Sequence, residues 1–389
     1  MFRKRLSTMA LLCLAATLPV LAQPVPVPNP FKPKVQPAPK VLPNEIIQEF
    51  PSNDVARTAW KVHYATQSGF GLIIQDAYFK KSPMEPWMQV LGDCRVSELF
   101  VPYHSGSPRF WDVSYNFPLC PATRIEAGPF GKLLGKPPTV TQEVRDRGLM
   151  WVHTSGSRRG QALVLRGIIS AANYRYAIEY GFQDDGTVNF RVGSTGHNYG
   201  SREWESHMHN TLWRIDVNLD GPDNNSVYVM EHHEPDGNPG RAKTTHVPFN
   251  GGKEGWHDWD PKKFTMLQVR SETRKNVRNM PFAYDLMPAR MGNSRHFGGK
   301  NEACTQHDFW VTRARPKEIY YTRLPEYVAN AEPVMDTDVV LWYSAPCHHE
   351  PRSEDGEMKG NNFTGVTPIM WSSFDLKPRN VFDRSPMFP

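Results

Sequence analysis

His207-Met208-His209 is the first place where residue type and spacing point to chemistry. In an extended strand, residues i and i+2 face the same side, with Cα atoms ~7 Å apart for a rise of ~3.3 Å per residue. Two imidazoles so placed can converge on one ion. A third ligand has to come from elsewhere, and two strings of the same local form offer it: Glu231-His232-His233-Glu234-Pro235 and Cys347-His348-His349-Glu350-Pro351. Spacing does not choose between them, and three neutral imidazoles suit copper as well as zinc. The plainer reading is of histidines that only fill core or surface. Tyr174, in Ala172-Asn173-Tyr174-Arg175-Tyr176, is by pattern alone a strand tyrosine, packed in a core with its hydroxyl bonded.

Whatever these residues do, strands must carry them. Aromatic and β-branched residues are frequent, and Gly, Pro, Asn and Asp punctuate the chain at short intervals. Tyr174, Tyr176, Ile178, Tyr180 and Phe182 alternate onto one face. Asp184-Asp185-Gly186 predicts a turn, and Val188, Phe190 and Val192 continue as a partner strand, which makes a hairpin. Residues 207–219 alternate as well, with His207, His209, Thr211, Trp213, Ile215 and Val217 on one face. No long segment carries a 3.6-residue period. The expected class is all-β, a large antiparallel β-sandwich of two sheets packed face to face. Residues 45–389 show no second linker and no internal repeat, so one domain is expected there.

The amino terminus reads differently. Arg3, Lys4 and Arg5 precede an apolar run from Leu6 to Ala22 that ends in small residues, which predicts a secretory signal peptide over residues 1–22. The run is short for a bilayer span of ~20 apolar residues. The cleaved protein is therefore expected off the membrane, in the periplasm or outside the cell. Residues 23–44 are dense in proline, which fixes φ and lacks an amide donor, so an extended linker is expected. Residues 1–40 hold six of the 45 Lys and Arg and no acid, leaving 39 bases against 40 acids in the rest. The body is near neutral, and no nucleic-acid partner is implied. With Cys13 in the leader, Cys94, Cys120, Cys304 and Cys347 permit two disulfides in an exported chain. Cys94–Cys120 is the first candidate, because the two flank one short segment.

Several strings, in a fixed order, resemble the copper amine oxidases. Asn173-Tyr174-Arg175-Tyr176 is followed by a hairpin and then by His207-Met208-His209, running into Trp213-Arg214-Ile215-Asp216-Val217-Asn218-Leu219-Asp220-Gly221. Phe309-Trp310-Val311-Thr312 comes next, then Asp338-Val339-Val340-Leu341-Trp342 and His349-Glu350-Pro351-Arg352-Ser353-Glu354-Asp355, with a closing segment from Phe374 to Asp383. The similarity runs from about Trp60 to the carboxyl terminus. It implies the family's catalytic β-sandwich and, residue by residue, a set of roles. Tyr174, beside Asn173, falls on the tyrosine that becomes topaquinone. His207, His209 and His349 fall on the copper ligands, which makes His348, His232 and His233 bystanders. Asp112, in Phe110-Trp111-Asp112, falls on the catalytic base, and Phe110 on the aromatic at the substrate entrance. Asp216, Asn218 and Asp338, with the carbonyls of Val217 and Val339, fall on a peripheral calcium site, whose oxygen ligands suit a hard cation. The implied reaction is oxidative deamination of a primary amine by molecular oxygen, giving an aldehyde, ammonia and hydrogen peroxide.

The chain also departs from the family's pattern. Arg175 stands where the family has an acid or a small polar residue; on a strand it should point away from the Tyr174 face. Cys120 is the only cysteine between Asp112 and Tyr174, so the family's disulfide there is not expected. The small amino-terminal domains are expected to be missing, and the short intervals leave open the hairpin arms of the family's homodimer. Two other readings compete with an active oxidase. One is a copper-binding pseudoenzyme serving assembly or copper handling; the other is a β-sandwich binding module with incidental histidines. A binding module has no need of a base and a cofactor precursor together.

Overall fold

The computed structural model of the protein describes residues 44–387, apart from 53–54, 123–130, 199–203, 235–236, 238, 290–299, 353–354, 356–357, 360–361 and 364–365. The expected signal peptide, and all but the last residue of the expected linker, lie outside the described residues.

Two antiparallel sheets form the sandwich. From edge to edge, the first runs Glu45–Phe50, Thr58–Gln67, Gly71–Lys80, Met88–Pro102, His207–Val217, Val339–His349, Phe309–Arg313 and Gly255–His257, with Arg109–Trp111 paired to Met88–Pro102. The second runs Lys243–Pro248, Asn225–His233, Met266–Lys275, Pro281–Ala289, Met370–Arg379, Val188–Gly196, Tyr174–Gln183, Gly156–Ala171, Pro138–His153 and Lys132–Gly135. Among the described residues the one α-helix is the single turn Leu324–Tyr327. No helix among them is long and apolar enough to cross a membrane.

The predicted hairpin is present. Tyr174–Gln183 pairs with Val188–Gly196, from Phe182 opposite Val188 to Tyr174 opposite Gly196. At its turn Gly186 takes a left-handed φ of 85°, which a glycine adopts without steric cost, and Thr187 N donates to Asp185 Oδ1 at 3.0 Å. At its open end a Cβ on Gly196 would lie 2.3 Å from the Asn173 carbonyl oxygen and 2.8 Å from Tyr174 Cα. The missing side chain lets the two strands close around Tyr174.

His207–Val217 lies in the middle of the first sheet, and all of its residues are buried. Its inner face meets the second sheet through Trp213, which packs edge-on against Tyr180 and Phe190 at 5.6 and 5.5 Å. Phe374 stacks on Phe190 at 4.7 Å and meets Tyr343 at 5.2 Å. Each such ring pair adds ~0.5–1.5 kcal/mol beyond its buried area, so this wedge fixes the two sheets against each other. The outer face is covered by a second apolar cluster that includes Leu212, Trp310, Tyr321, Leu324 and Trp342.

The Cys94–Cys120 disulfide does not form; all four cysteines are free thiols. The segment between them changes sheets. Cys94 is buried in the first sheet, with Sγ 3.7 Å from the Asp216 carbonyl. Cys120 N donates to Ile168 O on the second.

Candidate metal centre and active site

Register explains how the three histidines meet. His207 and His209 alternate onto the inner face of their strand, and antiparallel pairing sets His207 directly opposite His349 on Val339–His349. His207 Nε2 lies 3.0 Å from His209 Nε2 and 3.3 Å from His349 Nδ1. All three ligand atoms lie within 4.8 Å of one another, in side chains that are buried. Imidazoles at ~2.0–2.1 Å from one ion would hold their nitrogens about 3 Å apart, so the donor set fits a single metal ion. Burial lowers all three pKa values; His207 falls to about 3, with neighbouring His349 adding to the effect. The rings are neutral at neutral pH, the form that binds a metal.

The other nitrogen of each ring faces an acceptor. His207 Nδ1 lies 3.2 Å from the Glu205 carbonyl and His209 Nδ1 3.2 Å from the Tyr176 hydroxyl, while His349 Nε2 faces Asp355 Oδ2 at 3.6 Å. Such partners fix the tautomer and orientation of metal-binding histidines. Tyr103 stacks flat on His207, with ring centres 4.4 Å apart and planes 6° apart. Ligand type thus suits a soft-to-borderline ion such as copper.

Tyr174 comes from the opposite sheet and points at this triad. Its hydroxyl lies 3.0 Å from His349 Nδ1, 3.2 Å from His207 Nε2 and 3.4 Å from Asn198 Oδ1. Burial raises its pKa, so it is a neutral phenol. Asn173 beside it donates its side-chain amide to the His197 carbonyl. Two residues on, Tyr176 shares the face of Tyr174 and stacks near it at 6.0 Å. The Tyr176 hydroxyl donates to Asp112 Oδ2 at 2.7 Å.

Asp112 follows the short strand Arg109–Trp111, which hangs on Met88–Pro102. Burial pushes its pKa up to about 7; the Tyr176 hydroxyl pulls it back and the Glu98 carboxylate adds to the rise. Glu98 is itself buried and accepts from Leu99 N, Val113 N and Ser114 Oγ at 2.9, 2.8 and 2.5 Å. It clamps the turn that carries Asp112. Asp112, Tyr174 and Tyr176 close the inner end of a cavity of about 350 Å³, with Phe110 and Asn173 among its walls.

The remaining residues singled out in the sequence sort cleanly. Asp216 Oδ1, Asn218 Oδ1 and Asp338 Oδ1 are buried without a hydrogen-bond partner. Burial raises Asp216 to about 6 and, with the Asp216 charge beside it, Asp338 to about 7. Unpaired buried carboxylate oxygens are what a cation would satisfy. Val217 and Val339, on the two strands, neighbour these side chains in sequence. His232 and His233 lie away from the triad, with His233 Nε2 3.4 Å from Glu231. His348 faces outward and stacks on His104 at 5.1 Å. Arg175 is exposed and turns back on the backbone, donating to the Ala172 and Tyr174 carbonyls, each at 2.8 Å. Tyr176, Tyr103, Glu98 and Asn198 escaped the sequence reading. Only Tyr176 carried a signal, its i+2 spacing from Tyr174.

Fold and site together define a β-sandwich metalloprotein in which a tyrosine abuts a three-histidine centre between the sheets. Residues 143–389 match the family described as copper amine oxidase, enzyme domain, and the chain belongs to that family. Its oxidases use copper and topaquinone. Among curated relatives, histamine oxidase of Arthrobacter globiformis is 25% identical over 93% of this chain and 62% of that protein. Copper amine oxidase 1 of Aspergillus niger is 26% identical over 67% of this chain and 44% of its own length. The chain thus spans only about half the length of such relatives. A copper-containing benzylamine oxidase from Hansenula polymorpha has the same fold, with a TM-score of 0.69 at 21% identity, covering 91% of this chain and 64% of that one.

Proposed function

We propose that the protein is a copper- and topaquinone-dependent primary-amine oxidase, acting after export from the cytoplasm. The observation that carries this reading is the Tyr174 hydroxyl, 3.0 and 3.2 Å from two nitrogens of the buried histidine triad. His207, His209 and His349 would hold copper, and Tyr174 would supply the ring that becomes topaquinone. Bound there, copper and the quinone would supply the two-electron redox chemistry between amine and oxygen.

The chain's own residues do the rest. The apolar cavity takes the amine and excludes water from its inner end. Asp112 removes a proton from the carbon next to nitrogen, the step that needs a base. A carboxyl with a pKa of about 7 is half ionised at neutral pH and still basic enough to take that proton. Tyr176 orients it. Glu98 holds its turn in place. The balanced reaction consumes amine, oxygen and water and yields aldehyde, ammonia and hydrogen peroxide. Asp216, Asn218 and Asp338, with the carbonyls of Val217 and Val339, would hold calcium at the edge of the sandwich. A homodimer is typical of the family; the short intervals leave it open for this chain, and size-exclusion with light scattering would test it.

The test is copper loading of metal-free protein in air, followed by titration with a hydrazine and mass spectrometry of the peptide holding Tyr174. Added oxygen on Tyr174 and hydrazine capture are expected, and Tyr174→Phe should abolish both while leaving the fold intact. Copper uptake with no change at Tyr174 would instead mark a copper-binding pseudoenzyme.

A further inference from the structure

The cavity that ends at Asp112 and Tyr174 is lined along its length by Val101, Phe110, Tyr115 and Phe117, and by no Lys, Arg or His among the described residues. Among the described residues that line it, Asp112 is the only carboxyl. That carboxyl sits at the inner end, already bonded by Tyr176. Phe110 stands edge-on to Tyr103 at 6.3 Å and 82°. Tyr115 and Phe117 form a second ring pair, 5.9 Å apart at 59°, and Tyr115, 58% exposed, lies at the mouth. A reacting amine must place its nitrogen at the Tyr174 end. Whatever it carries beyond the reacting carbon then lies between aromatic walls.

From this we infer that the enzyme's substrates are aryl or arylalkyl monoamines, and that it discriminates against diamines. The inference rests on the oxidase reading above. A phenyl ring on the substrate would meet the tilted and edge-on contacts that aromatic groups favour. A second ammonium would be drawn out of water with no carboxylate beyond Asp112 among the described residues that line the cavity, and an unpaired charge in such surroundings is costly. The faces of Phe117 and Tyr115 would offset part of that cost, since cation–ring attraction is weak near solvent. The size agrees: about 350 Å³ is at the small end of ligand cavities, which run ~300–1,000 Å³.

The test measures kcat/KM of the copper-loaded enzyme for benzylamine, 2-phenylethylamine, butylamine and putrescine. Butylamine against putrescine isolates the distal charge, and benzylamine against butylamine isolates the ring. Each step should cost about tenfold or more. Putrescine oxidised as well as benzylamine would overturn the inference and leave the oxidase reading standing. Tyr115→Glu, a substitution at the exposed mouth, should raise putrescine relative to butylamine by about tenfold or more; an unchanged ratio would also overturn it. If no quinone forms and no amine turns over, the oxidase reading fails by itself. The cavity is then judged by calorimetry, where benzylamine should bind about tenfold tighter than putrescine, and equal binding refutes the inference.

Discussion

Replacing Tyr176 with Phe removes one hydroxyl and tests the link between Asp112, the proposed base, and the histidine triad. That hydroxyl is buried and donates to Asp112 Oδ2 at 2.7 Å. Its own pKa is raised well above the usual value by burial and by Asp112, so it keeps its proton and acts as a donor. A hydrogen bond to an ionised group is worth ~1.5–3 kcal/mol. At 1.36 kcal/mol per pKa unit, its loss is worth roughly one to two units. The sign follows from which form is favoured. The bond stabilises ionised Asp112, so its removal raises a pKa of about 7 to ~8–9. The acidic limb of kcat/KM should move to higher pH by the same amount. Activity at pH 7 should drop by roughly 5- to 50-fold and return in alkaline buffer. The assay is peroxide release from a steady-state amine reaction across pH, on enzyme matched for copper and hydrazine-titratable quinone. The matching matters because His209 Nδ1 loses its acceptor too, and loss of such a partner typically weakens metal binding ~10–100-fold. An acidic limb that stays in place in matched enzyme would refute the reasoning.

Asp112→Asn should leave quinone formation intact and stall amine turnover; normal turnover would remove Asp112 as the base. Gly196→Ala should cost about 1–3 kcal/mol and lower the quinone yield, because the new methyl meets the Asn173 carbonyl and the Tyr174 backbone; denaturant unfolding and hydrazine titration read the two effects. Calcium should raise the thermal midpoint of chelator-treated protein, and Asp338→Ala should erase the increment. Without calcium the midpoint should fall as pH rises from about 4 to 7. The folded pKa values of Asp216 and Asp338, about 6 and 7, exceed the ordinary 3.8, so their contribution is full in acid and lost as pH rises through 6 to 7.

Much of this arrangement was legible in the residues. Alternation over 174–182 and 207–217 located both site strands, and Asp184-Asp185-Gly186 located the turn of the hairpin. Within one strand, i+2 spacing put His207 and His209 on one face. What alternation cannot carry is pairing between distant segments. Spacing left His349 and the His232–His233 pair as equal candidates, and the register of Val339–His349 against His207–Val217 is what separates them in space. The Cys94–Cys120 expectation failed for the same reason. Nearness in sequence says nothing of a segment that leaves one sheet and bonds to the other at Ile168. Glu98 and Tyr103 were hidden because a buried acid in a long strand and a ring just past its end look like any others until the turn at Asp112 and the face of His207 are set against them.

The second nitrogens of the three histidines end in different places. The Glu205 carbonyl and the Asp355 carboxylate lie outside the cavity lining. His209 alone leads onward, through Tyr176 to Asp112. With Nε2 given to a metal, the remaining proton of neutral His209 must sit on Nδ1, and that ring nitrogen becomes a donor. The Tyr176 oxygen then accepts from His209, and its single proton can only be donated further, to Asp112 Oδ2. Without the metal, His209 can adopt the other tautomer and accept the Tyr176 hydrogen bond at Nδ1, which frees Asp112 of the bond that keeps it ionised. One hydroxyl would therefore tie an occupied metal centre to the carboxylate proposed as the base. Tyr176→Phe would break that tie, leaving Asp112 Oδ2 and His209 Nδ1 each without the partner they share.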